Sequence, residues 1–465
     1  MTAPKKLDRS IIDGPIGPAV WKLAWPTMLQ NVIGGLQGMI DHVMVGHYVG
    51  YAGNAAIGVS WQIFLVVMVF IGSLFTGMGV LVARFVGAGD LAKANRTVYQ
   101  AFLTSMVISF GILAPLGYFL APSLLEFVRA TPAVRAEALP YLRIMFVFSF
   151  GMLTFFMLGG ALRSAGDAKT PLRLGVALTA LNIIFNVILI RGLGPIPAFG
   201  TAGAALGTVI ASGLVALFAF QRLISGKWVV GFPRHESLRP NWAIIRSLFK
   251  VGLPTGLQGV AMNVGGVLLL RFIGSLDQSA EAQAAYAVGY GQLFSLITWT
   301  SVGLMGATAA VVGQNLGAKQ PDRAIAAVHR AARIGLSAAA VIAVLFLAIP
   351  RALLGAFGMT DPAAVAIGVR LLQYLSISGF FITAALTYTG GLQGAADTKS
   401  PFYISVVSQI ILPLGLLTVL GTFRILQPSD IWVAILLGHA TRCGLSIVRF
   451  RQGRWRGIAV DLTTR

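Results

Sequence analysis

Twelve runs of about 20 or more mostly apolar residues can be placed in this chain, and that pattern restricts its fold more than any motif does. Their approximate limits are 19–48, 54–85, 97–121, 134–163, 171–191, 202–224, 243–274, 283–316, 325–349, 363–394, 401–422 and 429–450. Runs of this length read as membrane-spanning helices, so the expected fold is an all-α membrane protein. Several exceed what a bilayer requires, which implies tilt or protrusion. Composition agrees, because only 11% of residues are charged, against about 25% in soluble domains. The 55 glycines suit close helix approach, since lipid supplies no hydrophobic drive between helices. The single cysteine, Cys443, rules out an intrachain disulfide framework and a thiolate metal cluster.

The net charge of +20 invites a nucleic-acid partner, but its distribution argues for a bilayer. Lys and Arg concentrate in alternate segments between spans, and 27 of the 35 fall in the set that includes both chain ends. Arg442 is counted in that set. The positive-inside rule then puts both termini in the cytoplasm of a multi-pass protein of the inner (plasma) membrane, with no nucleic acid as partner. No cleavable signal peptide is expected, because the apolar run after Lys5, Lys6 and Arg9 is too long for one.

The two halves of the chain resemble each other. LAWPTMLQ at Leu23–Gln30 recurs as VGLPTGLQ at Val251–Gln258, which aligns Pro26 with Pro254. WQIF at Trp61 recurs as GQLF at Gly291, and PYLRI at Pro140 as QYLSI at Gln373. GGALRSAGDAKTP at Gly159 recurs as GGLQGAADTKSP at Gly390. Each half holds six spans, an even number, so the copies share one orientation, as in parallel-repeat transporters. The expected organisation is a cytoplasmic lead-in (1–18), an N-lobe of helices 1–6 (19–224), a cytoplasmic linker (225–242), a C-lobe of helices 7–12 (243–450) and a cytoplasmic tail (451–465). Thr170-Pro171 and Ser400-Pro401 read as N-cap plus first-turn proline of the fifth and eleventh helices. Pro26 and Pro254 lie near the cytoplasmic starts of their helices, as hinges or as merely tolerated kinks.

Of 15 acidic residues, only Asp41 lies well inside a span, and an ionisable group there is a functional candidate by default. The bland alternative is a carboxylate paired locally, with His42 or His47, or lying near the headgroups. Helical rise puts Asp41 roughly 33 Å along the first helix from Ala19, in the outer half of the membrane. Asn182 and Asn186 share one face of the fifth helix, and with Thr208 on the sixth and Tyr141 on the fourth they reach a similar depth. Amides, a hydroxyl and a phenol can hold a carboxylate that alternates between protonated and ionised, or one that binds a small cation. The repeat provides a control. Asp41, Asn182, Asn186 and Thr208 align with Leu269, Leu412, Leu416 and Gly438, so this polar set exists in one half only, unlike the scaffold. Gln37, one turn before Asp41, with Gln62, Gln292 and Tyr374, are candidates for a substrate cavity, or equally for polar contacts between helices. His235, His329 and His439 are too scattered for a metal site, and no catalytic set or cofactor is expected.

At these residues the chain resembles the multidrug and toxin extrusion (MATE) family. The likeness rests on D-x-x-M-V-G at Asp41–Gly46, VGQN-x-GA at Val312–Ala318 and the two D-x-K-[ST]-P segments. N-x-x-x-N on the fifth helix and GAALGT at Gly203–Thr208 add to it. The resemblance implies twelve helices in two six-helix lobes that export organic, often cationic, compounds against a proton or sodium gradient. It also implies that Asp41, Asn182 and Thr208 match an ion-coupling site of the N-lobe. Asn186 stands where many members carry a second Asp. Met262 and Ile382 stand where another branch has carboxylates, which brings this chain nearer to the DNA-damage-inducible-like branch.

The expected protein is therefore no enzyme but a monomeric antiporter of small-molecule substrates, coupled to H+ or Na+ through Asp41. One alternative is a flippase for a lipid-linked intermediate, disfavoured by the lack of an intramembrane Arg cluster. Another is an intramembrane transferase, for which one buried carboxylate is too few.

Overall fold

The computed structural model describes residues 9–232 and 239–458. The first eight residues of the expected lead-in, residues 233–238 of the linker and 459–465 of the tail lie outside the described residues. Every regular segment described is helical, as a bilayer demands of a chain that must satisfy its own backbone polar groups.

The membrane-length helices are α1 (Ile16–Tyr48), α2 (Tyr51–Gly87), α3 (Leu91–Phe127), α4 (the bent pair Pro132–Val147 and Phe150–Ser164), α5 (Lys169–Arg191) and α6 (Gly200–Ser225). The second half repeats them as α7 (Trp242–Gly274), α8 (Ser279–Gly317), α9 (Pro321–Ala348), α10 (Pro362–Gly394), α11 (Lys399–Phe423) and α12 (Pro428–Arg451). Ten of these are long and apolar enough to cross a membrane alone, and the α4 pair makes eleven. The remaining helix, α1, has 33 residues, enough for roughly 50 Å. It is diluted by Lys22, Gln30, Asn31, Gln37, Asp41 and His42.

The described residues form two compact units that do not coincide with the sequence halves. The first holds Leu29–Leu253, and the second holds Ser10–Met28 with the chain from Pro254 onward. Within the second unit, the Arg323 guanidinium donates to the carbonyls of Ile11 and Gly14. There a Cβ on Gly303 would lie 2.7 Å from Met28 Cα. Within the first unit, a Cβ on Gly252 at the start of α7 would lie 2.0 Å from the Ser73 carbonyl oxygen of α2. Only glycine permits backbones to come this near. Both divisions fall beside a proline inside a continuous helix, Pro26 in α1 and Pro254 in α7.

Thr170 and Ser400 are not the N-caps that the sequence suggested. Helices α5 and α11 begin one residue earlier, at Lys169 and Lys399. The capping acceptors are carboxylates: Asp167 Oδ1 accepts from Thr170 N at 3.0 Å, and Asp397 Oδ1 accepts from Ser400 N at 3.3 Å. The two hydroxyls donate back to the same acids at 2.7 Å. A carboxylate outcompetes a hydroxyl here because it accepts several bonds and favours the positive end of the helix dipole.

Three helices contain a π-helical turn: Ile108–Leu113 in α3, Ala287–Leu293 in α8 and Val407–Ile411 in α11. The first meets the 53° bend of α4 through a buried Ser109–Ser149 hydroxyl pair at 2.8 Å. Such turns add one residue to a helix and often mark functional positions.

Candidate functional site

Helices α1, α5 and α6 in the first unit bring four of the five expected ion-site residues into one hydrogen-bonded chain. Asn186 Nδ2 donates to Asp41 Oδ1 at 2.7 Å and to Asn182 Oδ1 at 3.3 Å. Asn182 Nδ2 donates to Thr208 Oγ1 at 3.0 Å, and Thr208 donates to the Ala204 carbonyl at 3.1 Å. Asn182 and Asn186 are fully buried, while Asp41 is half-buried. The fifth residue, Tyr141, is buried in the core of the same unit.

The direction of these bonds has chemical content. An ionised carboxylate only accepts, so Asn186 must turn its Nδ2 towards Asp41. That leaves Asn186 Oδ1 buried with no partner. A second acid at this position would place two like charges in contact. The amide instead leaves Asp41 the sole carboxylate of this hydrogen-bonded chain.

The GAALGT motif explains how α5 and α6 come close enough. A Cβ on Gly203 would lie 2.4 Å from the Leu189 carbonyl oxygen, and one on Gly207 would lie 2.1 Å from Asn186 Oδ1. Glycines four residues apart on one helix face let a neighbouring helix dock at backbone distance. Gly207 therefore leaves the space in which the Asn186 amide is seated.

Sequence reasoning missed several partners of the site. Thr179 Oγ1 donates to Gln37 Oε1 at 2.8 Å, tying α5 to α1 one turn before Asp41 and joining Gln37 to the same seam. His42 does not pair with Asp41. Its Nδ1 lies 2.6 Å from Asn54 Oδ1 on α2, in keeping with its different helix face. Thr201 Oγ1 donates to Glu137 Oε2 at 2.6 Å. These pairs join residues 12 to 142 positions apart, so no local spacing announces them. Of the other cavity candidates, Gln62 is exposed, Gln292 is half-buried and Tyr374 packs against the core of the second unit. None of the three joins the Asp41 chain. Arg442, counted from the sequence with the cytoplasmic basic residues, is instead buried in α12.

Among the described residues, no three His, Cys, Asp or Glu side chains are gathered as metal ligands.

Comparison with known proteins places these features in a family. The MatE family model matches residues 26–188 and 254–417, once in each half of the chain. The chain is 25% identical to a probable multidrug resistance protein NorM of Thermotoga maritima over 449 residues, covering 94% of this chain and 93% of that one. It is 28% identical to a probable multidrug resistance protein NorM of Deinococcus radiodurans, covering 94% and 96%. A solved outward-facing MATE transporter of the MOP superfamily shares the fold with a TM-score of 0.89, at 19% identity, over 98% of this chain and all of that one. The twofold match, the twelve helices and the relatives agree that this chain is a multi-pass membrane transporter and belongs to the MATE family.

Proposed function

We propose that the chain is a secondary active antiporter that exports organic, amphiphilic or cationic compounds across the inner membrane, driven by a proton or sodium gradient through Asp41. The observation that carries this reading is the chain from Asp41 through Asn186 and Asn182 to Thr208, built on only one of two homologous halves. The multidrug resistance names of the relatives support the substrate class.

Asn186 gives the site two ways to work. Protonation would turn Asp41 from acceptor to donor, and Asn186, whose Oδ1 has no partner, can receive that proton's hydrogen bond by turning its amide. A sodium ion would instead take its oxygens from Asp41, Asn182, Asn186 and Thr208. In either case loading neutralises the carboxylate and changes how α1, α5 and α6 are joined. Pro26 and Pro254 are assigned as hinges, because the compact units divide within two residues of the first and at the second. Gln37, Gln62, Gln292 and Tyr374 are assigned to substrate contact. Both termini are assigned to the cytoplasm, and the transporter to a monomer.

The test is efflux of a fluorescent cationic dye from proteoliposomes with proton and sodium gradients imposed separately. One gradient is expected to drive efflux, and Asp41→Asn is expected to abolish the driven component while the protein still inserts. Undiminished gradient-driven efflux by Asp41→Asn would rule the assignment out.

A further inference from the structure

The repeat mates of the Asp41 chain are apolar, yet the second unit buries a polar group of its own beside them. Arg442 on α12 is 1% exposed, and its Nε and Nη1 have no hydrogen-bond partner. His439, one turn earlier, is 2% exposed and its Nδ1 is also unpartnered. Gln409 on α11 aims an unpartnered, buried Nε2 at the same helix, 3.5 Å from where a Cβ on Gly438 would sit. Tyr290 on α8 stacks over His439 with ring centroids 6.4 Å apart.

Three features make this a built site rather than one misplaced side chain. First, the groups come from three helices, and Tyr290 and Gln409 both lie in π-helical turns. The related helices of the first half, α2 and α5, are α-helical throughout. Second, the acids near the ends of α12 are already committed, Asp397 to Arg449 and Asp430 to Arg424. No ion pair among the described residues includes Arg442. Third, a guanidinium keeps its charge and carries five N–H donors. A buried cation without a counter-charge is costly, so these unpartnered donors call for an anion.

We propose that Arg442, with Gln409, Tyr290 and His439, forms an anion-binding site inside the second unit that takes one small monovalent anion, either a carboxylate group or a halide. Its charge is opposite to that of the Asp41 chain, and two of its three helices, α11 and α12, are the repeat mates of α5 and α6. Thr208 aligns with Gly438, one turn before Arg442. The inference goes beyond the coupling role of Asp41 and does not depend on it.

The test is thermal unfolding of the full-length protein in lipid nanodiscs, titrated with sodium benzoate and, separately, with sodium chloride over constant sodium sulfate. Wild type is expected to show a saturable rise in melting temperature with at least one of the two. Benzoate alone identifies an organic carboxylate as the ligand, and chloride alone a halide. Arg442→Gln is expected to weaken the apparent affinity at least about tenfold, since charge-assisted bonds are the strong ones. Gln409→Leu and Tyr290→Phe, which keep the guanidinium, are each expected to weaken it about three- to tenfold and read the site even where Arg442→Gln does not fold. Asp41→Asn is expected to keep the wild-type curve, which separates this site from the coupling reading. No saturable effect in wild type, or curves unchanged in all the Arg442, Gln409 and Tyr290 variants, overturns the proposal and leaves Arg442 as a packing group.

Discussion

At the scale of single residues, Gly207 sets the tolerance of the Asp41 chain. A Cβ there would sit 2.1 Å from Asn186 Oδ1, so Gly207→Ala must displace the amide that holds Asp41. Overpacking of this kind costs about 1–3 kcal/mol. Gly207→Ala is expected to insert normally but to lose gradient-driven efflux towards the level of Asp41→Asn. Gly213→Ala, on the same helix with nothing within 4 Å of its Cβ, is expected to leave efflux and melting temperature unchanged. Thr208→Val tests the far end of the chain. It removes the acceptor of Asn182 Nδ2 and strands a buried amide, at about 1–3 kcal/mol. Unfolding of the variant in detergent should show a loss of that size. The residue types at positions 41, 182, 186 and 208 were legible from sequence because buried polar groups stand out in an apolar chain. Their bond directions were not, since each depends on a partner in another helix.

At the scale of elements, the duplicated D-x-K-[ST]-P segments show what a repeat conserves. Both copies use the acid as the cap of the following helix, and the second adds an ion pair, Arg449 Nη2 to Asp397 Oδ2 at 2.8 Å. Asp397 is 5% exposed, so removing it breaks the pair with the partly exposed Arg449 as well as uncapping α11. Asp397→Ala is expected to cost about 2–4 kcal/mol, a lost cap plus a charge-assisted bond to a partly exposed guanidinium, measured by equilibrium unfolding in mixed micelles. A result near the cost of a lost cap alone, about 1 kcal/mol, would show that the ion pair adds little. The sequence marked these segments as helix starts correctly but chose the hydroxyl as the cap, because spacing alone does not rank two adjacent acceptors.

At the scale of the whole molecule, the compact units and the sequence repeats cut the chain in different places. The segment leading into α1 packs within the second unit, where the Arg323 guanidinium donates to the Ile11 and Gly14 carbonyls, so a bifunctional thiol reagent should cross-link Asp13→Cys with Arg323→Cys. Failure to cross-link in membranes would contradict that placement. A protease-cleavable tag on each terminus should be cut in inside-out vesicles and protected in right-side-out ones if both ends are cytoplasmic. The twelve spans, their limits to within a few residues at most ends and the repeat that relates them were all legible in the amino-acid sequence. Bilayer thickness fixes the length of an apolar run, and repetition is visible in one dimension. Folding in three dimensions set the rest: that α1 and α7 each divide between units beside a proline, that Asn186 donates to Asp41, and that Arg442 is buried in the second unit. Those outcomes depend on which backbones approach closely enough for side chains far apart in sequence to meet, and glycine placement and helix docking govern that approach.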